Sequence, residues 1–125
     1  MYAGVCLLSA GGCFTGEGTC GAIVGSMLAG GFAGGITKTT QPPDIKKVGV
    51  GLRETLVKKY NEEFGSMLCK DVMRKYYGKA WDLTNDAASA EFKASTDGCV
   101  IKKTAGWISE ILLDQYAKGL LQPAV

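Results

Sequence analysis

The sequence predicts an all-α protein: a small helical bundle with a glycine-rich buried first helix and a long C-terminal amphipathic helix. Two observations predict this fold class. After residue 44, apolar residues recur at steps of three and four, and no convincing stretch alternates apolar and polar residues as a strand would. With 125 residues, of which 46% are hydrophobic and 21% are charged, the chain is long enough to build one packed core.

The composition changes sharply near residue 37. Residues 1–37 contain 11 of the 18 glycines and one charged residue, Glu17, whereas every lysine and arginine lies in the rest of the chain. We divide this single domain into a glycine-rich helical part (1–36), a linker with two prolines (37–44) and a set of helices (45–119). Because the first part is too short and too rich in glycine to build a core alone, it is expected to pack on the second.

A helix is predicted over residues 20–31 despite their glycines, because apolar side chains supply bulk that a flexible glycine loop, the alternative, would lack. Small residues recur at every fourth position, so the helix would carry two smooth ridges on which another backbone could pack closely. We therefore expect a buried helix and a homodimer formed around it. The two ridges are Gly21, Gly25 and Ala29, and Ala22, Ser26 and Gly30.

Three or four further helices are predicted after the linker. The first ends at Gly65, a typical left-handed cap residue. Ser66 is predicted to cap the next helix, which stops at Gly78, and residues 85–94 fit a short helix. Asp97 is predicted to cap the last helix. The buried face of the first of these helices is predicted to consist of Ile45, Val48, Leu52, Leu56, Tyr60 and Phe64.

Several classes of function are excluded by composition. The chain contains no histidine, which rules out Ser-His and Cys-His catalysis and histidine-ligated zinc within it. A formal net charge of +2 argues against nucleic acid as the main partner. No apolar run is long enough to span a membrane, and no signal peptide is recognised. A reducing, cytoplasmic location is therefore expected.

Five cysteines remain to be explained. Their number is odd, so a fully paired disulfide scaffold would leave one over. No two of them form a CxxC motif, which excludes a thioredoxin-type motif and a zinc ribbon. The cysteines are Cys6, Cys13, Cys20, Cys69 and Cys99.

Cys20, Cys69 and Cys99 each lie at the start of a predicted helix, one to three residues after a capping residue. The first turn of a helix has unpaired N–H groups and the positive end of the helix dipole, and both favour thiolate over thiol. We therefore predict these three as the reactive, catalytic thiols. Simple packing of buried cysteine in the core is the alternative for each of them.

The other two cysteines are weaker candidates, for which a core position is favoured. Cys6 lies in an apolar run and is expected to belong to the core. Cys13 lies in the glycine-rich segment GGCFTGEG (11–18), close enough in sequence to approach Cys20 or a metal ion shared with it.

Three segments carry a resemblance to a known family: CGAIVG (20–25), EEFGSMLCKDV (62–72) and DGCVIKKTAGWISEIL (97–112). The first fits the pattern CGAxxG, and the order of all three resembles the C-GCAxxG-C-C family over most of the chain. Members of this family are thought to be small helical proteins whose four cysteines perform redox or metal chemistry. The resemblance implies that Cys20, Cys69 and Cys99 correspond to the last three of these cysteines.

The sequence departs from the family pattern at its beginning. The family's first cysteine usually lies in an additional helix well before CGAxxG, but only 19 residues precede Cys20 here. Either the chain is truncated, or Cys13 or Cys6 takes that position.

Three functions remain open. The favoured one is a redox-active protein whose thiolates, from Cys20, Cys69 and Cys99, perform thiol–disulfide or electron-transfer chemistry with a redox partner protein. The second is a metal site in which Cys13 joins these three and holds zinc, copper(I) or an iron–sulfur cluster. The third is a structural module that oligomerises through the glycine-ridged helix. The sequence names no substrate and does not decide whether the protein is an enzyme.

Overall fold

A computed structural model describes residues 5–121 and confirms the all-α prediction. Within these residues the chain forms a short 3₁₀ helix (Ser9–Gly11), five longer helices and no strand. Helix α2 is continuous over residues 42–64 and consists of an α-helix (Pro42–Leu52), a π-helical turn (Arg53–Val57) and a second α-helix (Lys58–Phe64). The other helices are α1 (Gly21–Ala33), α3 (Cys69–Tyr77), α4 (Asp86–Ser95) and α5 (Cys99–Ala117).

Helix α2 begins earlier than the sequence predicted, because Pro42 opens it and residues 42–44 of the predicted linker are helical. Proline is well suited to the first helical position, since its fixed φ matches the helix and its missing N–H is not needed there. The helix ends as predicted at Gly65, which is left-handed with φ 76°. Its buried residues are Leu52, Leu56, Tyr60 and Phe64, four of the six predicted.

Helix α1 packs against α2 and α5. An added Cβ on Gly30 would lie 2.8 Å from the terminal methyls of Leu52, so a larger residue at this position would force the Leu52 side chain to move. The predicted glycine-rich helix is therefore confirmed. Its buried residues are Ile23, Ser26 and Gly30, whereas an added Cβ on Gly25 would meet no atom within 4 Å.

A tightly folded loop precedes α1. The N–H of Gly18 donates a hydrogen bond to the Gly11 carbonyl over 2.8 Å, and an added Cβ on Gly18 would lie 2.5 Å from that same oxygen. The two backbone segments can touch only because this position has no side chain. The loop thereby brings residues 16–20 against the start of α3, where Lys70 donates its N–H to the carbonyl of Gly16 over 3.0 Å.

Helices α3, α4 and α5 complete the core. The predicted short helix is confirmed as α4, and the carboxamide oxygen of Asn85 caps it by accepting the N–H of Ala88 over 3.1 Å. Gly78 ends α3 in the left-handed conformation with φ 81°. In the part of the chain described here, no helix has the length and apolar character that a bilayer span requires. Aromatic rings link these helices to α2, among them Phe64, Tyr76, Tyr77, Trp81, Phe92 and Trp107.

Candidate functional site

Two of the predicted cysteines are held side by side by the backbone. Thr19 and Leu68 form an isolated antiparallel bridge, and each is followed directly by a cysteine. In an antiparallel pair, the residues that flank a bridge on either strand all point to the same side. Cys20 and Cys69 therefore direct their side chains to one side of the bridge.

Backbone hydrogen bonds fix this pairing. The N–H of Cys20 donates to the carbonyl of Met67 over 2.7 Å, and the N–H of Cys69 donates to the carbonyl of Gly18 over 2.9 Å. Both cysteines are buried, with 9% and 5% of their surfaces exposed, and neither is in a disulfide in this structure. The sequence analysis named both residues, but nothing in their 49-residue separation showed that they would meet.

The pKa values of the two thiols are shifted in opposite directions. The hydrogen bond from the Cys69 thiol is the main reason why the pKa of Cys20 falls to about 6, and burial opposes this shift. The hydroxyl of Tyr60 and the backbone N–H groups at the start of α1 lower it further. The same hydrogen bond, together with burial and the neighbouring negative charge, raises the pKa of Cys69. At neutral pH Cys20 is therefore the thiolate and Cys69 keeps its proton.

Tyr60 is a site residue that the sequence analysis placed only in the core. Its side chain has no exposed surface, and its hydroxyl has no nitrogen or oxygen partner among the described residues. The hydroxyl is one of the groups that lower the pKa of Cys20. Burial and the Cys20 thiolate both raise the pKa of Tyr60, so the phenol stays protonated and remains a donor. A tyrosine on the buried face of a helix needs a partner for its hydroxyl, which is the sequence signal that could have identified it.

The helix-start positions are confirmed, but the capping residues differ from the predicted ones. Cys20 itself is the N-cap of α1, in place of Thr19, and Leu68 is the N-cap of α3, in place of Ser66. The reason is that Thr19 and Leu68 form the bridge, which sets where each helix begins. The hydroxyl of Ser66 still accepts the Leu68 N–H over 3.1 Å.

Cys99 lies apart from this pair, as the first residue of α5. Gly98 is the N-cap with φ 69°, while the carboxylate of Asp97 accepts the N–H of Cys99 over 2.8 Å, so the predicted capping interaction is present one residue earlier. The sulfur of Cys99 lies 2.8 Å from the hydroxyl of Tyr76, with which it shares a hydrogen bond. That hydrogen bond raises the pKa of Tyr76.

Cys6 and Cys13 are both exposed, so the expectation that they fill the core is wrong. Cys13 lies directly after Gly12 and has a left-handed backbone with φ 47°. Across residues 5–121, no three cysteine, aspartate or glutamate side chains come close enough to hold one metal ion. Two of the four predicted metal ligands, Cys20 and Cys69, are brought together, and the four-thiolate site stays a prediction.

A cavity of about 510 Å³ adjoins the cysteine pair. Cys20 and Cys69 form part of its wall, and the remainder comes from the loop before α1, the first turn of α1, helices α3, α4 and α5, and the segments that connect these last three helices. Its lining is mainly aliphatic and aromatic. Within the described part of the chain, Lys93 is the only lysine, arginine, aspartate or glutamate that lines it, and the Cys20 thiolate lies in the same wall. A small molecule in this cavity would reach the two sulfurs.

The fold and the site together define a small helical protein that carries a buried pair of adjacent thiols, one of them with a lowered pKa. Residues 4–111 match the family described as "Putative redox-active protein (C_GCAxxG_C_C)". Because the match covers most of the chain, the protein belongs to this family, and the resemblance seen in the sequence is confirmed. No curated protein and no solved structure matches the chain significantly.

Proposed function

We propose that Cys20 and Cys69 form a redox-active dithiol–disulfide pair in which Cys20 is the attacking thiolate. The observation that supports this proposal is the antiparallel bridge between Thr19 and Leu68, together with the backbone hydrogen bonds of the two cysteines that follow it. Both cysteine side chains lie on the same side of this bridge, although the two segments are far apart in sequence. The lowered pKa of Cys20 supplies a thiolate at neutral pH, and Cys69 holds the proton that a departing thiolate needs.

The proposed reaction is thiol–disulfide exchange. The Cys20 thiolate attacks one sulfur of a substrate disulfide, whose S–S bond breaks, and the electron pair leaves with the other sulfur as a thiolate. Cys69 then gives its proton to the first departing thiolate and attacks the Cys20 sulfur, which releases the second substrate thiolate. The substrate gains two electrons, and the protein is left with a Cys20–Cys69 disulfide. A dithiol of a redox partner protein would return the pair to its reduced state.

The test is to count thiols and map disulfides after mild oxidation of protein that was purified without oxygen. The titratable thiols of the five cysteines should fall by two and return with reductant, and peptide mass spectrometry should find Cys20 joined to Cys69. Cys20→Ser and Cys69→Ser should abolish this change, whereas Cys6→Ser should leave it intact. A different pairing, or equal behaviour of Cys20→Ser and Cys6→Ser, would overturn the proposal.

Elemental analysis of the same preparation tests the metal alternative. The cysteine pair offers two thiolate ligands, and zinc, copper(I) or an iron–sulfur cluster would need further ligands from Cys13 and Cys99. Stoichiometric metal that is lost in both Cys20→Ser and Cys13→Ser would favour this site over the dithiol function.

Cys99 is proposed as a third redox thiol that acts after the first disulfide has formed. It is half-buried and opens α5, and Tyr76 holds its sulfur. Cys99→Ser should leave the Cys20–Cys69 disulfide intact but slow its reduction by a partner dithiol. If a partner dithiol reduced the Cys20–Cys69 disulfide of Cys99→Ser at the unchanged rate, Cys99 would have no part in the reaction.

A homodimer is also proposed. The exposed ridge of α1, with Gly25 and Ala29, borders an apolar groove of about 330 Å³ against α5. Ile101 lies on the other side of this groove and is 65% exposed, which leaves apolar surface for a second copy to cover. Sedimentation equilibrium should give twice the monomer mass, and Gly25→Leu should restore the monomer. The cytoplasmic location stays a prediction.

A further inference from the structure

The cavity beside the cysteine pair limits which substrates can reach the sulfurs. Its volume of about 510 Å³ is in the range of sites for small molecules and is too small for a folded protein surface. An anionic group placed among its apolar side chains would lose most of its hydration and would face the Cys20 thiolate, and Lys93 is the one described wall residue with a positive charge to offer it. The apolar part of the wall includes Phe14, Val72, Leu83, Phe92 and Ile101.

Phe14 is the wall residue that the loop contributes. Its backbone is in the left-handed region with φ 65°, directly after Cys13 with φ 47°, a conformation that bulky residues rarely adopt. The surrounding loop hydrogen bonds hold this conformation, including the bond from the Cys13 N–H to the Leu7 carbonyl. The ring is 45% exposed, so it lines the cavity while remaining in contact with solvent.

We propose that this cavity selects neutral, apolar disulfides of low molecular mass as substrates of the Cys20–Cys69 pair. The inference rests on the dithiol function proposed above. Cys20 attacks one sulfur of such a disulfide, the S–S bond breaks, and the other half leaves as a thiolate. The apolar group on the attacked sulfur stays in the cavity as a mixed disulfide until Cys69 displaces it. Binding of that group before the attack raises the rate of the first step.

A series of alkyl methanethiosulfonates tests this selection, because all of them react at the same centre. Each transfers its RS group to a thiolate and releases methanesulfinate, so only the tail differs between them. From the methyl to the butyl reagent, the rate constant at Cys20 should rise at least roughly tenfold, because each methylene that leaves water completely contributes a factor of about four. The anionic 2-sulfonatoethyl reagent should be slower than the butyl one. Cys13 is exposed and serves as the control within the same molecule, where tail length should matter little.

Phe14→Ala should lower the rate of the butyl reagent at Cys20 at least about threefold and leave the methyl reagent unchanged. Phe32→Ala is the matched control, since Phe32 is 59% exposed and is not part of the cavity wall. Both positions are exposed, so neither substitution should prevent folding. Equal rates at Cys20 for all tails would overturn the proposed selection while leaving the dithiol function in place. If Cys20 reacted with no reagent and formed no disulfide with Cys69, the dithiol function itself would fail.

Discussion

Thr19 and Leu68 pair as a single antiparallel bridge, and through it the backbone, rather than side-chain packing, sets the position of Cys20 against Cys69. Each cysteine then starts a helix within one residue of the bridge. The site thus combines an antiparallel bridge with two helix N-termini. The bridge brings the Cys69 thiol to Cys20, and the first N–H groups of α1 add to its effect, which explains how a mostly apolar, buried environment can still stabilise the Cys20 thiolate.

Cys69→Ala should raise the pKa of Cys20 above about 6, because the Cys69 thiol supplies the largest stabilisation of the Cys20 thiolate. Alkylation of Cys20 at pH 7 should slow about 5- to 10-fold, since less thiolate is present. The measurement is the pH dependence of iodoacetamide alkylation, read at the Cys20 peptide. A midpoint that does not move would show that Cys69 does not donate to Cys20. Cys99→Ala is the control and should leave the midpoint where it is.

Tyr60→Phe should also raise the pKa of Cys20, by less than Cys69→Ala does, because the Tyr60 hydroxyl is a smaller cause of the lowered pKa. The ring remains in place, so the packing against Phe64 should survive. Tyr76→Phe is the matched control, since the Tyr76 hydroxyl bonds to Cys99. The same alkylation profile checks both variants. Identical profiles for Tyr60→Phe and the unmodified protein would rule out a role for this hydroxyl.

The sequence predicted the helices well because their signals are local. The apolar spacing along α2 and the left-handed glycines Gly65 and Gly78 each act within a few residues. The meeting of Cys20 with Cys69 could not be predicted in this way, because it depends on how the loop before α1 folds onto α3. The sequence analysis wrongly placed Cys6 in the core for a related reason. Apolar neighbours in the sequence do not show whether the folded chain buries that residue.

Gly18→Ala should disturb the cysteine pair without altering either cysteine. The new Cβ would lie 2.5 Å from the Gly11 carbonyl oxygen, so the loop must shift, and the Gly18 carbonyl that accepts the Cys69 N–H shifts with it. We expect a loss of about 1–3 kcal/mol in the free energy of unfolding. Formation of the Cys20–Cys69 disulfide should slow as well. Urea unfolding and a time course of thiol loss measure the two effects.

Gly106→Ala is the control for this substitution. Gly106 lies inside α5, and an added Cβ there would meet no atom within 4 Å. Alanine favours the helix over glycine by about 1 kcal/mol, so this variant should be slightly more stable and should form the disulfide normally. If Gly18→Ala behaved like Gly106→Ala, the close approach of the loop to itself would not control the site.

The stability of the reduced protein should depend on pH through Cys20. Its pKa is lowered in the folded state to about 6, against roughly 8.5 in an unfolded chain, so the folded pair holds fewer protons than the unfolded pair between these values. Stability therefore rises with pH across this window and is lost as the pH falls through about 6. The raised pKa of Cys69 has the opposite effect on stability. Its contribution to the free energy of unfolding is present below pH about 8.5 and is lost as the pH rises above that value.

The free energy of unfolding should thus increase by about 1–2 kcal/mol between pH 6.5 and pH 8, with an upper slope near 1.4 kcal/mol per pH unit for one proton. Urea unfolding under reductant measures it, and Cys20→Ser provides the baseline, because that variant keeps every other titrating group. The difference in the free energy of unfolding between the unmodified protein and Cys20→Ser should grow with pH up to about 8.5. It should stop growing above that pH, where the thiols of the unfolded chain ionise. A difference that is constant or shrinks across this window would mean that Cys20 is a neutral thiol in the folded protein and that the first step of the proposed exchange has no ready nucleophile.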